Sequence, residues 1–166
     1  FHRAVEPLEY DRDLDRVAEC DWVIEAIAER LDWKRELYAK LATRLRPEAV
    51  LSSNTSGLLA AELVDGMPED LRQRFLITHF FNPPRYLPLL EIIPGPKTKP
   101  EVLSFLEAYG ERILGKQVVV CKDTPAFIAN RVGVFAIQAL FHTVSEMGLS
   151  VEAVDKLTGP AMGRPK

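Results

Sequence analysis

Apolar and polar positions alternate with two different periods along this chain. Runs rich in β-branched and aromatic residues recur at 21–27, 50–53, 75–81, 89–93 and 117–122, and each reads as a strand. Helical spacing fills the gaps. From Asp32 to Leu45 the apolar positions are Trp33, Leu37, Tyr38, Leu41 and Leu45, and Arg46-Pro47 ends that helix. A short helix is predicted around Leu59–Val64, closed by Asp65-Gly66. A longer one over Lys99–Leu114 turns Val102, Phe105, Leu106, Tyr109 and Ile113 inward and stops at Gly115. The first twenty residues are polar and irregular, with Leu8, Leu14 and Val17 as anchors. Beyond Asp123 the strands cease. Thr124-Pro125 reads as a cap and first-turn pair opening a long helix to Met147-Gly148, and another helix starts at Ser150 and runs out by Gly159-Pro160.

Strand and helix in alternation is the rhythm of a parallel doubly wound sheet, so the fold class is α/β. The change to helix alone places a domain boundary at 123/124, with the beginning of an all-α domain over 124–166. A chain of 166 residues buries roughly 70% of its unfolded surface, enough for a core without staples. A net charge of −3 gives no general attraction for nucleic acid. No apolar run approaches the ~20 residues of a membrane span, and no signal or transit pattern opens the chain. Phe1 is not an initiator methionine, so further residues are expected upstream. Cys20 and Cys121 have neither metal-ligand spacing nor the number for a disulfide framework, which fits a reducing compartment and a cytoplasmic location. Asn54-Thr55-Ser56 matches the glycosylation sequon, read here as a chance match.

The chemistry concentrates around Thr78-His79-Phe80-Phe81-Asn82-Pro83-Pro84 and Leu89-Leu90-Glu91-Ile92-Ile93. Proline supplies no ladder donor, so Asn82-Pro83-Pro84 ends the first strand. Antiparallel pairing of the two runs would put His79 and Glu91 on one face within hydrogen-bond reach. A carboxylate in an apolar strand needs something to satisfy it, and an imidazole so held is a usable proton acceptor. Ligands in open α/β sheets sit beyond the carboxyl ends of the strands, where Glu29, Asn54, Ser56, His79 and Asn82 fall. Read singly, each has a plain structural alternative. A histidine ending a strand can be a satisfied structural one, and Asn54-Thr55-Ser56 fits a helix cap and Asx turn. Glu29 and Lys34 fit solvated helix-start charges, and Asn130 fits a core amide on the face of Phe127, Val134 and Ile137. His2 and His142 have no evident partners, and three scattered histidines do not make a metal site.

Taken together, ordered blocks of the chain resemble the L-3-hydroxyacyl-CoA dehydrogenase family. They are the run from Asp21-Trp22-Val23-Ile24-Glu25 to Ala28-Glu29, Ser53-Asn54-Thr55-Ser56, His79-Phe80-Phe81-Asn82-Pro83, Leu89-Leu90-Glu91, and Lys122-Asp123-Thr124-Pro125 through Asn130-Arg131. The likeness is strongest to the bacterial branch in which such a dehydrogenase is part of a larger fatty-acid β-oxidation enzyme. It implies a partial Rossmann-type sheet, the C-terminal part of an NAD-binding domain over 1–123, then the beginning of a helical domain that pairs subunits into a homodimer. It also implies oxidation of a 3-hydroxyacyl-CoA to 3-ketoacyl-CoA with NAD as cofactor. His79 would then take the hydroxyl proton and Glu91 would hold the imidazole. Ser56 and Asn130 would hold the substrate, and Glu29, Lys34, Ser56 and Asn82 would face the nicotinamide ribose side of the cofactor.

Two departures shape the expectation. The family opens with a strand and a Gly-x-Gly-x-x-Gly turn that grips the pyrophosphate, and the nine glycines here have no such spacing. The lead-in before Asp21 also lacks the acidic residue that would grip the adenosine ribose. The chain alone is therefore expected to bind NAD weakly and turn over little. Pro84-Arg85-Tyr86-Leu87-Pro88 stands where relatives carry a lysine-bearing segment, and Tyr86-Leu87-Pro88-Leu89 is close in wording to relatives that oxidise free hydroxy acids. A dehydrogenase of a free hydroxy or sugar acid is one alternative, and a non-catalytic dimerisation module is the other.

Overall fold

The computed structural model describes residues 5–163; His2 lies outside them. The elements run α1 (Tyr10–Asp13), a 3-10 turn (Leu14–Glu19), β1 (Trp22–Glu25), α2 (Leu31–Ala42), β2 (Val50–Ser53), α3 (Ala60–Leu63), α4 (Glu69–Arg72), β3 (Phe75–Phe80), β4 (Leu89–Pro94), α5 (Pro100–Arg112), β5 (Gln117–Val120), α6 (Ala129–Met147) and α7 (Val151–Thr158), with a closing 3-10 turn at Pro160–Met162. The strands form one sheet in chain order. β1, β2 and β3 are parallel, β4 returns antiparallel to β3, and β5 lies parallel to β4.

Side chains alternate across a strand, so each strand feeds two cores. Leu51, Phe75, Ile77 and Ile93 pack with Leu37, Tyr38 and Leu41 of α2 and with Ala60, Leu63 and Leu71 from α3 and α4. Val50, Leu76, Leu90 and Ile92 face the other way, onto Val102 and Leu106 of α5. Helices on both faces make this a doubly wound, Rossmann-like sheet. Polar groups inside it are paired: Trp22 Nε1 donates to Ser52 Oγ at 2.9 Å, and Ser52 and Thr78 share a hydrogen bond of 2.8 Å. Gly110 lets α5 lie against the sheet, since a Cβ there would sit 2.8 Å from Val118 Cγ2.

Several elements depart from the sequence pattern. The stretch expected to be irregular forms α1 and its 3-10 turn. On α2 the core face is Lys34, Leu37, Tyr38 and Leu41, while Trp33 turns out to solvent beneath the Arg30 guanidinium, 4.5 Å from the ring centroid. Phe105 of α5 and Ile113, just past its end, are likewise exposed. The long helix begins at Ala129 rather than at Pro125, because Ala126 and Phe127 both adopt positive φ, 62° and 50°. Consecutive left-handed residues cannot belong to a right-handed helix. Gly148, at φ 63°, caps that helix as the pattern implies, and Ser150 Oγ accepts from Ala153 N–H at the start of α7.

The chain divides into two compact units, one ending at Phe127 and the other starting at Ile128. In the second unit no residue of α6 or α7 is buried.

Candidate active site

Two buried polar clusters occupy the face of the sheet that packs on α2. The first lies where β3 and β4 run antiparallel. Their register sets His79 directly opposite Glu91. Nδ1 of the imidazole is 2.9 Å from Oε2 of the carboxylate, with His79 4% and Glu91 1% exposed. An ionised carboxylate can only accept, so Nδ1 is the donor of that bond and, in a neutral ring, Nε2 is the acceptor. The rings of Phe81 and Phe127 lie 4.4 and 5.5 Å from the imidazole, both tilted. An imidazole oriented in this way can serve as a proton acceptor, in a site almost closed to water.

The second cluster is centred on Glu25, at the end of β1. Its Oε1 accepts from Lys34 Nζ at 2.6 Å and from the N–H of Ile27 at 2.7 Å. Its Oε2 accepts from Tyr38 and Ser53 hydroxyls, each at 2.7 Å. Burial first, and then the charge of Glu25, push the Tyr38 phenol far above its ordinary value, so it stays a donor. Lys34 is fully buried, and its ammonium also lies 3.4 Å from Glu29 Oε2. Glu29 bridges two turns at the carboxyl end of the sheet. Its Oε1 accepts from Thr55 Oγ1, from Ser56 N–H at 3.0 Å and from Gly57 N–H at 3.2 Å. Burial pushes the Glu29 carboxyl up, yet these donors and Lys34 together outweigh it and leave it below the usual carboxylate range.

The exposed rim of these turns carries Glu29, Ser56 and Asn82. A carboxylate, a hydroxyl and an amide on turns that follow parallel strands match what ribose hydroxyls and a carboxamide require. They supply no phosphate-gripping turn. Among the described residues no group of metal-ligating side chains occurs, and no helix is long and apolar enough to cross a membrane.

The chain matches, over residues 1–124, the family model described as 3-hydroxyacyl-CoA dehydrogenase, NAD binding domain. It belongs to that family. NAD is the cofactor of the domain. A Deinococcus radiodurans protein with the provisional name 3-hydroxyacyl-CoA dehydrogenase is 44% identical over 98% of this chain and 47% of its own length. A Rickettsia prowazekii protein, provisionally named a fatty acid oxidation complex trifunctional enzyme, is 40% identical over 93% of this chain and 22% of its own. The crystal structure of Mycobacterium tuberculosis FadB2 superposes with a TM-score of 0.83 at 33% identity, covering 92% of this chain and 53% of that one. The chain thus spans a fifth to a half of the relatives it matches.

Within this dehydrogenase domain the predicted site residues fall into groups. His79 meets Glu91. Glu29, Lys34 and Ser56 are joined through the Glu29 carboxylate, with Lys34 buried behind it. Asn82 sits exposed in the turn after β3, at a cis bond to Pro83. Asn54 is occupied in holding the end of β3, accepting from Phe80 N–H at 2.9 Å. Asn130 lies half-buried in the first turn of α6, in the second unit, and His142 is exposed on the same helix. Sequence reasoning missed Glu25, Tyr38 and Ser53. The signal was present: Glu25 is a carboxylate in an apolar strand, as Glu91 is.

Proposed function

We propose that the natural polypeptide carrying this chain oxidises (3S)-3-hydroxyacyl-CoA to 3-ketoacyl-CoA with NAD, as a step of fatty-acid β-oxidation. The observation that carries the reading is the buried His79–Glu91 pair at the mouth of a sheet whose family cofactor is NAD. When bound, NAD supplies the acceptor for the hydride that leaves C3. Nε2 of His79 takes the C3 hydroxyl proton, and Glu91, accepting from Nδ1, stabilises the imidazolium that develops. Ser56 and Asn130 hold the substrate's oxygen and thioester region. Glu29, Ser56 and Asn82 hold the nicotinamide ribose side, with Lys34 acting there through Glu29. Residues 1–123 are the cofactor-binding part and 124–166 the beginning of a helical domain that pairs two subunits, in a cytoplasmic enzyme.

The test compares 3-hydroxybutyryl-CoA with free 3-hydroxybutyrate as substrates for NADH formation by that polypeptide. The CoA ester is expected to be oxidised by the wild type and not by His79→Gln. Preference for the free acid would overturn the assignment of substrate, and full activity in His79→Gln would overturn the mechanism.

A further inference from the structure

We propose that Phe127 is a positioning residue for the His79–Glu91 pair, held against the imidazole by a strap that runs from Asp123 to Phe127. The inference rests on the reading of His79 as the proton acceptor. The bond to Glu91 fixes one ring nitrogen, but the torsion that turns an imidazole is soft and two-fold. A ring tethered at one atom can still rock about that tether, and rocking would swing Nε2 away from its substrate. Contact with two aromatic rings restrains that motion. Phe81 comes with β3 itself, being the next residue after its end. Phe127 comes from 48 residues beyond His79 in the chain and is 1% exposed.

How Phe127 gets there is the second part of the inference. Both carboxylate oxygens of Asp123 are engaged, accepting from Ala60 N–H at 2.8 Å and Ala61 N–H at 2.9 Å. That ties the chain to the start of α3. Phe127 N–H then donates to Thr124 O at 3.0 Å, closing a turn in which Ala126 and Phe127 are both left-handed. Residues with a Cβ seldom adopt that conformation, and two in succession are rarer still. A residue that only filled the core could come from ordinary backbone. Here an unfavourable backbone is retained, and its product is an aromatic ring against His79.

The experiment measures steady-state kinetics of the natural polypeptide with NAD and 3-hydroxybutyryl-CoA, for wild type, His79→Gln, Phe127→Leu and Asp123→Asn. Phe127→Leu is expected to lower kcat by about ten- to a hundredfold, since small misplacements of a reacting group cost that much. KM for NAD and for the ester should each stay within about twofold, the signature of an interaction that matters only in the transition state. Asp123→Asn should give a smaller loss of the same kind, and it decides by the same split if Phe127→Leu does not fold. A kcat within about twofold of wild type, or a loss shared with both KM values, would overturn the proposal. An inactive wild type or a fully active His79→Gln would remove its basis, which distinguishes failure of the parent reading from failure of this one.

Discussion

Glu25 and Glu91 are both carboxylates buried in strands of one sheet and, by register, on one face of it, yet they are satisfied in different ways. Glu25 is surrounded by an ammonium, two hydroxyls and a backbone N–H that fill both its oxygens. The Tyr38 phenol is pushed far above its ordinary value by burial and by the charge of Glu25. Every partner of that carboxylate is a donor. Glu91 instead faces an imidazole, a group that gains and loses a proton during ordinary acid–base chemistry. Burial and residue type are the same in the two places, so neither separates scaffold from chemistry. The partner does.

The comparison can be broken most directly in rate. His79→Gln is expected to lower kcat by about 10²–10⁴-fold in the natural polypeptide, the usual worth of a positioned acid–base group, and Glu91→Gln by somewhat less. Equilibrium unfolding in urea should show a smaller loss for either than for Lys34→Met, since glutamine can keep a hydrogen bond at each position. At Glu25 the effect should appear in stability. Lys34→Met strands a buried carboxylate, and breaking a buried pair this way costs about 3–5 kcal/mol. The double variant Glu25→Gln/Lys34→Met should recover much of that, and a double variant no better than Lys34→Met would contradict the view of the pair as mutual compensation.

A smaller effect concerns the strap near His79. Ala126→Gly removes the Cβ from a left-handed position and is expected to raise stability by up to about 1 kcal/mol, the gain offset in part by a more flexible unfolded chain. Thermal unfolding reads it. The smallest effect is at Glu29. Its carboxyl is held below the usual range in the folded protein, so it adds stability above the unfolded value of about 4.3, and that contribution disappears as pH falls through the lower native value. Glu29→Gln should therefore flatten the acid limb of a stability–pH curve, and lower its neutral and alkaline part without changing the slope there.

Much of this was legible in the sequence because apolar runs with β-branched residues have few alternatives to a buried strand. The five strands and the lone imidazole and carboxylate of β3 and β4 could be read directly. What escaped was set by partners distant in the chain. Lys34 looks like a surface charge until Glu25 is brought over it. Trp33 looks like a core residue until α2 is rotated to bury that lysine, which turns the indole outward. The start of α6 was misread because Thr124-Pro125 suits a helix start as well as the turn it forms, and nothing in an alanine or phenylalanine announces a positive φ. α1 is a single polar turn, too short to display a period.

Helix α6 has a further consequence for work at the bench. Val132, Val134, Phe135, Ile137, Phe141 and Met147 are all more than 45% exposed on nineteen consecutive helical residues. So much exposed hydrocarbon calls for cover, from a second copy or from further polypeptide of the natural chain. Were that cover a second copy, melting temperatures would drift with dilution, and a value taken at one concentration would not transfer to another.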